Sequence, residues 1–116
     1  MQKTQLTKLS LQSIMISMFG KKNKIDYRYN EGELLNEFSQ YIDNTYKQHY
    51  SLNKYQSTEF IIDSGHGEGF CIGNIMKYAQ RYGKKGGKNR ADILKVLHYG
   101  LFMLHVHDKA TKEANK

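Results

Sequence analysis

Apolar side chains recur at intervals of three and four residues in several parts of the chain, which is the spacing of one face of an α-helix. The first such part runs from Glu31 to Tyr50. Asn30 stands there at the N-cap position and acidic residues fall in the first turn. Its apolar positions are Leu34, Leu35, Phe38, Tyr41, Ile42 and Tyr46. The pattern therefore predicts one amphipathic helix over 31–50.

Two further helices are predicted in the second half of the chain. One runs from about Phe70 to Tyr82 and the other from about Arg90 to Ala110. The basic, glycine-rich stretch 83–88 between them ends the first helix and lets the chain reverse. Their apolar positions are Cys71, Ile72, Ile75, Met76, Tyr78 and Ala79, and then Ile93, Leu94, Val96, Leu97, Leu101, Leu104 and Val106. We expect a helical hairpin over about 70–110 that buries these two sets.

A short helix is expected before the hairpin. Ser57 or Thr58 can cap a helix that runs through Ile62, and the glycines at 65, 67 and 69 are expected to break it. The pattern allows a short strand only over 55–62. The chain has no proline. The predicted fold class is all-α: a single helical domain over 30–116, built around the hairpin and preceded by a loose N-terminal arm at 1–29.

Composition indicates a globular domain, and its positive charge favours an anionic partner, although the charge could also serve solubility alone. The chain has 116 residues, of which 39% are hydrophobic, and its formal net charge is +7. Nucleotides, nucleic acid or phosphorylated metabolites are the partners that such a charge favours. The apolar run 9–19 is too short and too polar to span a bilayer, so no membrane partner is expected. Cys71 is the one cysteine, and we expect a buried small side chain rather than a nucleophile.

Each helix of the hairpin also carries a polar stripe whose members are spaced by three and four residues. The stripes consist of Asn74, Lys77 and Arg81 on the first helix and of Asp92, Lys95 and Tyr99 on the second. A hairpin can turn the two stripes toward each other and form a cationic cleft that contains one carboxylate. The same residues also fit two solvated faces, in which Asp92 and Lys95 form a weak surface ion pair. Spacing alone leaves both interpretations open.

Such a cleft would suit a nucleotide. The guanidinium of Arg81 can bind a phosphate through two hydrogen bonds, while lysines add point charges. Asn74 can bind a base edge or a sugar hydroxyl. The loop adds the cations Lys84, Lys85 and Lys88, and its glycine amides can approach phosphate oxygens. The stretch 83–90 lacks the Walker A spacing, so phosphoryl transfer here would depend on positioning and cationic charge.

Carboxylates offer a weaker alternative. Glu33 and Glu37, four residues apart, could hold Mg²⁺ together with Asp63 or Asp92. All-α nucleotide pyrophosphohydrolases use clustered helical carboxylates in this way. The E-x-x-E and E-x-x-D pairings of that class are not clearly present, and no resident metal site is predicted.

The histidines are the remaining candidates. His49 and His66 could serve as general acids or as hydrogen-bond donors to phosphate, with His49 the better of the two. His98 and His105 are seven residues apart and share a helix face. We expect a surface or core-rim position for these two rather than metal binding.

Several of these polar residues carry a resemblance to a known family. The pattern is His-Tyr, then an acidic residue in a short apolar helix, then GN-x-x-KY-x-x-R-x-x-KK-G and D-x-x-K-A-x-x-Y. The matching residues are His49, Tyr50, Glu59, Gly73, Asn74, Lys77, Tyr78, Arg81, Lys84, Lys85, Gly86, Asp92, Lys95 and Tyr99. From residue 49 to about 105 the chain therefore resembles the SaV-like phage proteins, a domain of unknown function (number 3310) related to the nucleotide kinase of podophages that lacks a P-loop.

The resemblance implies a phage protein that acts in the host cytoplasm as a homo-oligomer. It implies phosphorylation of deoxynucleoside monophosphates such as dTMP or dGMP, with ATP or a dNTP as phosphoryl donor; Mg²⁺ is compatible with this chemistry. The candidate catalytic residues are Lys77, Arg81, Asp92 and His49. The candidate nucleotide- and phosphate-binding residues are Asn74, Lys84, Lys85, Lys88, Lys95, Tyr50, Tyr78 and Tyr99.

Two other functions remain open at this point. One is a non-catalytic oligomeric protein that binds nucleotides or signalling nucleotides in the same cleft, because no catalytic base is obvious. The other is a basic protein that binds nucleic acid or a host protein. Tyrosines interspersed with lysines could stack on bases in that case.

Overall fold

The computed structural model describes residues 25–49 and 54–115, with the backbone alone at 49 and 54–56. Within these residues the chain forms helices and no strand. The helices are α1 (Glu31–His49), α2 (Lys54–Ile61), α3 (Gly67–Arg81) and α4 (Arg90–Ala114). The predicted all-α fold class is therefore confirmed. The arm predicted at 1–29 lies outside the described residues except for 25–29, which are not helical.

Helix α1 begins where the sequence predicts. Asn30 precedes it with a φ of 64°, a left-handed conformation that asparagine tolerates better than most residues. The carbonyl of Asn30 accepts the first helical hydrogen bond, from the amide of Leu34 at 3.0 Å. The carboxylate of Glu31 accepts a hydrogen bond from the amide of Tyr29 at 2.7 Å. Two compact units divide the chain between Glu37 and Phe38, within this helix.

The break predicted at three glycines is a kink at one of them. Residues Ile62–His66 form a π-type turn in which Gly65 has a φ of 92°, outside the helical range. Helix α3 then begins at Gly67, three residues before the predicted start. Gly67 is the first residue of α3 and Gly69 lies inside it, so a glycine by itself does not mark a break.

Helix α2 also differs from the prediction. It begins at Lys54, so Ser57 and Thr58 lie inside it rather than at its cap. The segment 55–62, where the pattern allowed a strand, is helical. Helix propensity within a short apolar run cannot be separated from strand propensity by periodicity alone.

Helices α3 and α4 form the predicted antiparallel hairpin. At its closed end Arg81 contacts Asp92, and at its open end Gly67 lies against Val106. A Cβ atom added at Gly67 would come within 2.9 Å of Cγ2 of Val106, so this glycine permits the close approach of the helices. Helix α4 begins with Asn89 as N-cap, whose side chain accepts a hydrogen bond from the amide of Ala91 at 3.0 Å. It continues to Ala114, four residues beyond the predicted end.

The buried core within the described residues is small. Cys71 is the one apolar side chain there that is fully buried, as predicted. The prediction that the apolar positions of α3 and α4 are all buried is wrong. Ile72 and Met76 of α3 are exposed, and so are four residues of α4 that we call the outer stripe: Ile93, Leu97, Leu101 and Leu104. The reason is geometric, because α4 packs against α3 through the opposite face.

A second packing cluster joins the later part of α1 to α4. The imidazole of His98 is buried and meets the ring of Tyr41 edge-on at 5.7 Å between centroids. Phe38 contacts the same imidazole at 6.4 Å and Phe102 at 4.5 Å. His98 therefore fills a position in the aromatic packing. Within the described part of the chain, none of the helices combines the length and the apolar character that a bilayer span requires.

Candidate functional site

An ion pair closes the end of the hairpin near the loop. Arg81 is the last residue of α3 and Asp92 lies in the first turn of α4. Nε of Arg81 is 3.7 Å from Oδ1 of Asp92, which is too long for a hydrogen bond but short enough for strong attraction. The Asp92 side chain is 4% exposed and that of Arg81 is 33% exposed. The carboxylate is therefore buried, while part of the Arg81 side chain reaches the surface.

This pair keeps unused hydrogen-bonding capacity. Nε of Arg81 and Oδ2 of Asp92 are both buried, and neither has a hydrogen-bond partner among the described residues. Buried polar atoms without partners are rare in proteins and are often found at functional sites. Asp92 is further stabilised by its place in the first turn of α4, where the helix dipole favours a negative charge.

Tyr78 is the centre of a neighbouring cluster of cations and rings. Nζ of Lys95, from α4, lies 4.8 Å from the centroid of the Tyr78 ring, and Nζ of Lys77 lies 5.3 Å from the same centroid. Both distances fall in the range of cation–π attraction. The structure thus brings members of the two predicted polar stripes together across the hairpin.

Tyr99 extends this cluster toward the core. Its ring stacks on Tyr78 with 6.0 Å between centroids and 13° between planes, and Phe70 meets it edge-on at 5.6 Å. Burial, followed by the nearby hydroxyl of Tyr78, raises the pKa of Tyr99 above its usual value of 10.0. The Tyr99 hydroxyl therefore remains a proton donor at neutral pH.

Asn74 has a structural contact that explains its place in mid-helix. Its side-chain Nδ2 donates a hydrogen bond to the carbonyl of Phe70, one turn earlier, at 2.8 Å. The side chain is half-buried. One amide hydrogen of Asn74 is therefore committed to its own helix, which fixes the direction of the group.

The loop between the helices adopts the backbone that its glycines allow. Gly83, Gly86 and Gly87 have φ values of 85°, 75° and 77°. The amides of Gly83, Lys84 and Lys85 donate to carbonyls within the protein, those of Gly87 and Arg81. These three amides are therefore bonded within the protein and are not available to phosphate, contrary to the prediction from the sequence. The side chains of Lys84, Lys85 and Lys88 are exposed to solvent.

No described contact joins the other candidate site residues to this cluster. The side chain of His49 and all of Tyr50 lie outside the described residues. His66 is exposed at the end of the π-type turn. Among the residues that the structure describes, no three histidine, cysteine, aspartate or glutamate side chains are grouped closely enough to bind a metal ion.

The burial of His98 was not predicted from the sequence. Burial lowers the pKa of His98 below the usual value of 6.5, so the imidazole is neutral at physiological pH. A signal was present, because Leu94 and Phe102 stand four residues before and after it on the same helix face. Cys71 behaves as predicted, since burial raises the pKa of its thiol and makes it a poor nucleophile.

Part of the chain matches a known protein-family model. Residues 44–100 match a family model whose description is a protein of unknown function (DUF3310). No curated protein and no solved structure is significantly similar to the chain. The matched segment contains the last turns of α1, all of α2 and α3, and α4 as far as Gly100, and therefore includes the cluster around Tyr78 and Asp92. The similarity to the DUF3310 family therefore covers this segment, which is just under half of the chain.

Proposed function

We propose that the protein binds nucleotides on the face formed by α3 and α4, with the phosphates held by Arg81, Lys77 and Lys95. The observation that carries this proposal is the convergence of cations from two consecutive helices beside a buried carboxylate. Lys95 and Lys77 come from different helices and approach one ring, while Arg81 is held by Asp92.

Mutual repulsion among these cations favours an anion at this position. Both ammonium groups lie within 5.3 Å of the centre of the same ring, and Arg81 follows Lys77 by one helical turn. Of the four charged groups, only Asp92 is negative. A phosphate would satisfy the guanidinium through paired hydrogen bonds and would interact with the lysines as point charges.

The proposed reaction is phosphoryl transfer from ATP or a dNTP to a deoxynucleoside monophosphate. A phosphate oxygen of the acceptor attacks the γ-phosphorus, the bond from that phosphorus to the β–γ bridging oxygen breaks, and a nucleoside diphosphate leaves. The acceptor phosphate is already largely ionised at pH 7, because its second pKa is about 6. The reaction therefore needs no protein base, only positioning and charge neutralisation.

The residues of the chain have distinct parts in this proposal. Asp92 positions Arg81, and Arg81 with the two lysines neutralises charge on the transferred group. The stacked rings of Tyr78 and Tyr99 form a rigid surface of the proposed site. Mg²⁺ would enter with the nucleotide, coordinated mainly by phosphate oxygens, which is its usual mode in kinases. The resemblance to the podophage kinase family supports this choice of reaction over binding without catalysis.

Binding is tested first, by titration calorimetry with ATP and with each dNMP. Arg81→Lys keeps the charge beside Asp92 but removes the planar fork, and we expect about 10-fold to 100-fold weaker binding. Lys112→Ala, an exposed cation at the far end of α4, is the matched control and should bind as the original chain does. Absence of heat with every nucleotide contradicts the proposal.

Catalysis is tested separately. The protein is incubated with ATP, Mg²⁺ and each dNMP, and the nucleoside diphosphates are separated by ion-exchange chromatography. Product from at least one acceptor, reduced in Arg81→Lys and retained in Lys112→Ala, is the expected result. Binding without product would leave a nucleotide-binding protein and exclude the kinase.

A further inference from the structure

The outer stripe of α4 is an apolar surface on an already packed helix. Leu97, Leu101 and Leu104 are 49%, 41% and 61% exposed, and Ile93 is 45% exposed. The residues that contact α3, among them Asp92, Lys95 and Tyr99, lie on the opposite side of the helix. An apolar face on the side of a helix away from its packed face is typical of a helix that is covered on both sides.

The leucines of this face follow the spacing of a helix-pairing seam. Leu94, Leu97, Leu101 and Leu104 are separated by three, four and three residues, which is the a/d pattern of two heptads. Leu94 is half-buried, whereas the other three are exposed. A second α-helix with the same spacing is therefore the kind of element that fits this surface.

The charged residues at the ends of the seam identify that helix as another copy of α4. Arg90 stands four residues before Leu94, and Asp108 stands four residues after Leu104; both are exposed. The seam is thus symmetric about the level of residue 99 and carries opposite charges at its two ends. We propose that α4 pairs with α4 of a second copy of the chain in antiparallel orientation, through this seam.

Two-fold symmetry then makes each contact occur twice, as in isologous interfaces. Leu97 faces Leu101 of the second copy, Leu94 faces Leu104, and Arg90 faces Asp108. A parallel pair would place Arg90 beside Arg90 and Asp108 beside Asp108, and the resulting like-charge repulsion disfavours it. This surface lies on the side of α4 away from Lys95 and Asp92, so the pairing leaves the proposed nucleotide site accessible.

The oligomeric state of the full chain is the first test, measured by sedimentation velocity over a range of concentrations. Leu101→Glu places a charge at the centre of the seam, and we expect self-association to weaken by about 30-fold or more. Leu35→Glu is the matched control, because Leu35 is an exposed leucine of α1. Circular dichroism and nucleotide titration establish that both variants are folded. A monomeric original chain, or association that is as strong in Leu101→Glu, overturns the proposal.

The orientation is tested by charge exchange. Arg90→Asp and Asp108→Arg should each weaken association, because each creates a like-charge pair at both ends of the seam. The double variant restores opposite charges only if the helices are antiparallel, and we expect its association to return to near that of the original chain. If the double variant remains as weak as the single ones, the antiparallel orientation is wrong.

Cross-linking gives an independent measure of the orientation. Chains carrying Leu94→Cys and chains carrying Leu104→Cys are mixed and treated with a short bismaleimide. An antiparallel pair links the two kinds of chain to each other. It does not link Leu94→Cys chains among themselves, since those positions are then about 15 Å apart along the helix. Links within a single variant would contradict the proposed orientation. The original chain, with Cys71 buried, is the control.

Discussion

Arg81 and Asp92 face each other across the closed end of the hairpin, with Nε and Oδ1 3.7 Å apart. Oδ2 of Asp92 is buried and has no hydrogen-bond partner in the described part of the chain. The loop 82–89 separates these two residues along the chain, and the antiparallel course of the helices brings them back together. A buried carboxylate beside an incompletely bonded guanidinium is a strong local constraint. The stability of the hairpin and the geometry of the proposed site therefore depend on the same ion pair.

The first prediction concerns this pair. Asp92→Ala leaves Nε of Arg81 buried without its neighbouring charge, so we expect a loss of about 1–3 kcal/mol in the free energy of unfolding. Asp92→Asn keeps the shape and should cost less. Urea denaturation followed by circular dichroism measures both. Equal stability of Asp92→Ala and the original chain would show that the pair contributes nothing to folding.

The second prediction separates the lysines near Tyr78 from those of the loop. Lys95→Met keeps the alkyl stem and removes the charge that lies 4.8 Å from the Tyr78 ring. We expect nucleotide affinity to fall by about 5-fold to 30-fold, which corresponds to about 1–2 kcal/mol.

The combined replacement of Lys84, Lys85 and Lys88 by alanine is the comparison. These side chains are exposed, and charges in water are weakened by solvent and salt, so the triple variant should lose less affinity than Lys95→Met at 0.15 M salt. Titration calorimetry at two salt concentrations measures both. The reverse order would move the phosphate site to the loop.

The third prediction is a pH dependence of stability that originates at His98. Burial lowers the pKa of His98 below the usual value of 6.5, so the folded state binds this proton less readily than the unfolded state does. The contribution is therefore fully present above pH 6.5 and is lost as the pH falls toward the lower pKa of the folded state. His98→Leu should reduce the slope of the free energy of unfolding between pH 7 and pH 5.

Denaturation curves at several pH values test this. His105→Leu is the control, because His105 lies on the same helix and is exposed. An unchanged slope in His98→Leu would assign the pH dependence to other groups.

The fourth prediction uses two neighbouring glycines of α3. A Cβ atom at Gly67 would lie 2.9 Å from Cγ2 of Val106, whereas one at Gly69 would meet nothing within 4 Å. Gly67→Ala should therefore destabilise the protein by about 1–2 kcal/mol, and Gly69→Ala should stabilise it by about 0.5–1 kcal/mol. Adding Val106→Ala to Gly67→Ala should recover part of the loss. Similar effects of the two glycine substitutions would mean that the helices do not approach closely at Gly67.

The helices could be predicted from the sequence because their apolar spacing is regular. Helix α1 begins at the predicted residue and is helical over 31–49, and the glycine-rich stretch between two periodic segments predicts the hairpin. The predicted start of α3 lies too late in the chain, because glycines such as Gly67 and Gly69 usually indicate the interruption of a helix. Only the packing against Val106 shows that Gly67 serves a close helix contact.

The composition of the polar stripes was predictable, but their contacts were not. Helical spacing placed Lys77 and Arg81 on one face, yet it could not show that Arg81 meets a buried Asp92 or that Lys95 reaches Tyr78. Burial of the leucines was predicted wrongly for a related reason. Apolar periodicity predicts that a helix face is buried. It does not show whether the element that buries this face belongs to the same chain.

The chemical reactivity of the buried Cys71 thiol can report transient opening of the protein. A fully enclosed thiol with a raised pKa cannot react with an alkylating reagent until the helices around it separate. Because the chain holds a single cysteine, the mass shift on alkylation reports the exposure of this thiol alone. The rate at which Cys71 is labelled therefore measures how often the hairpin opens under native conditions, and no introduced probe is needed.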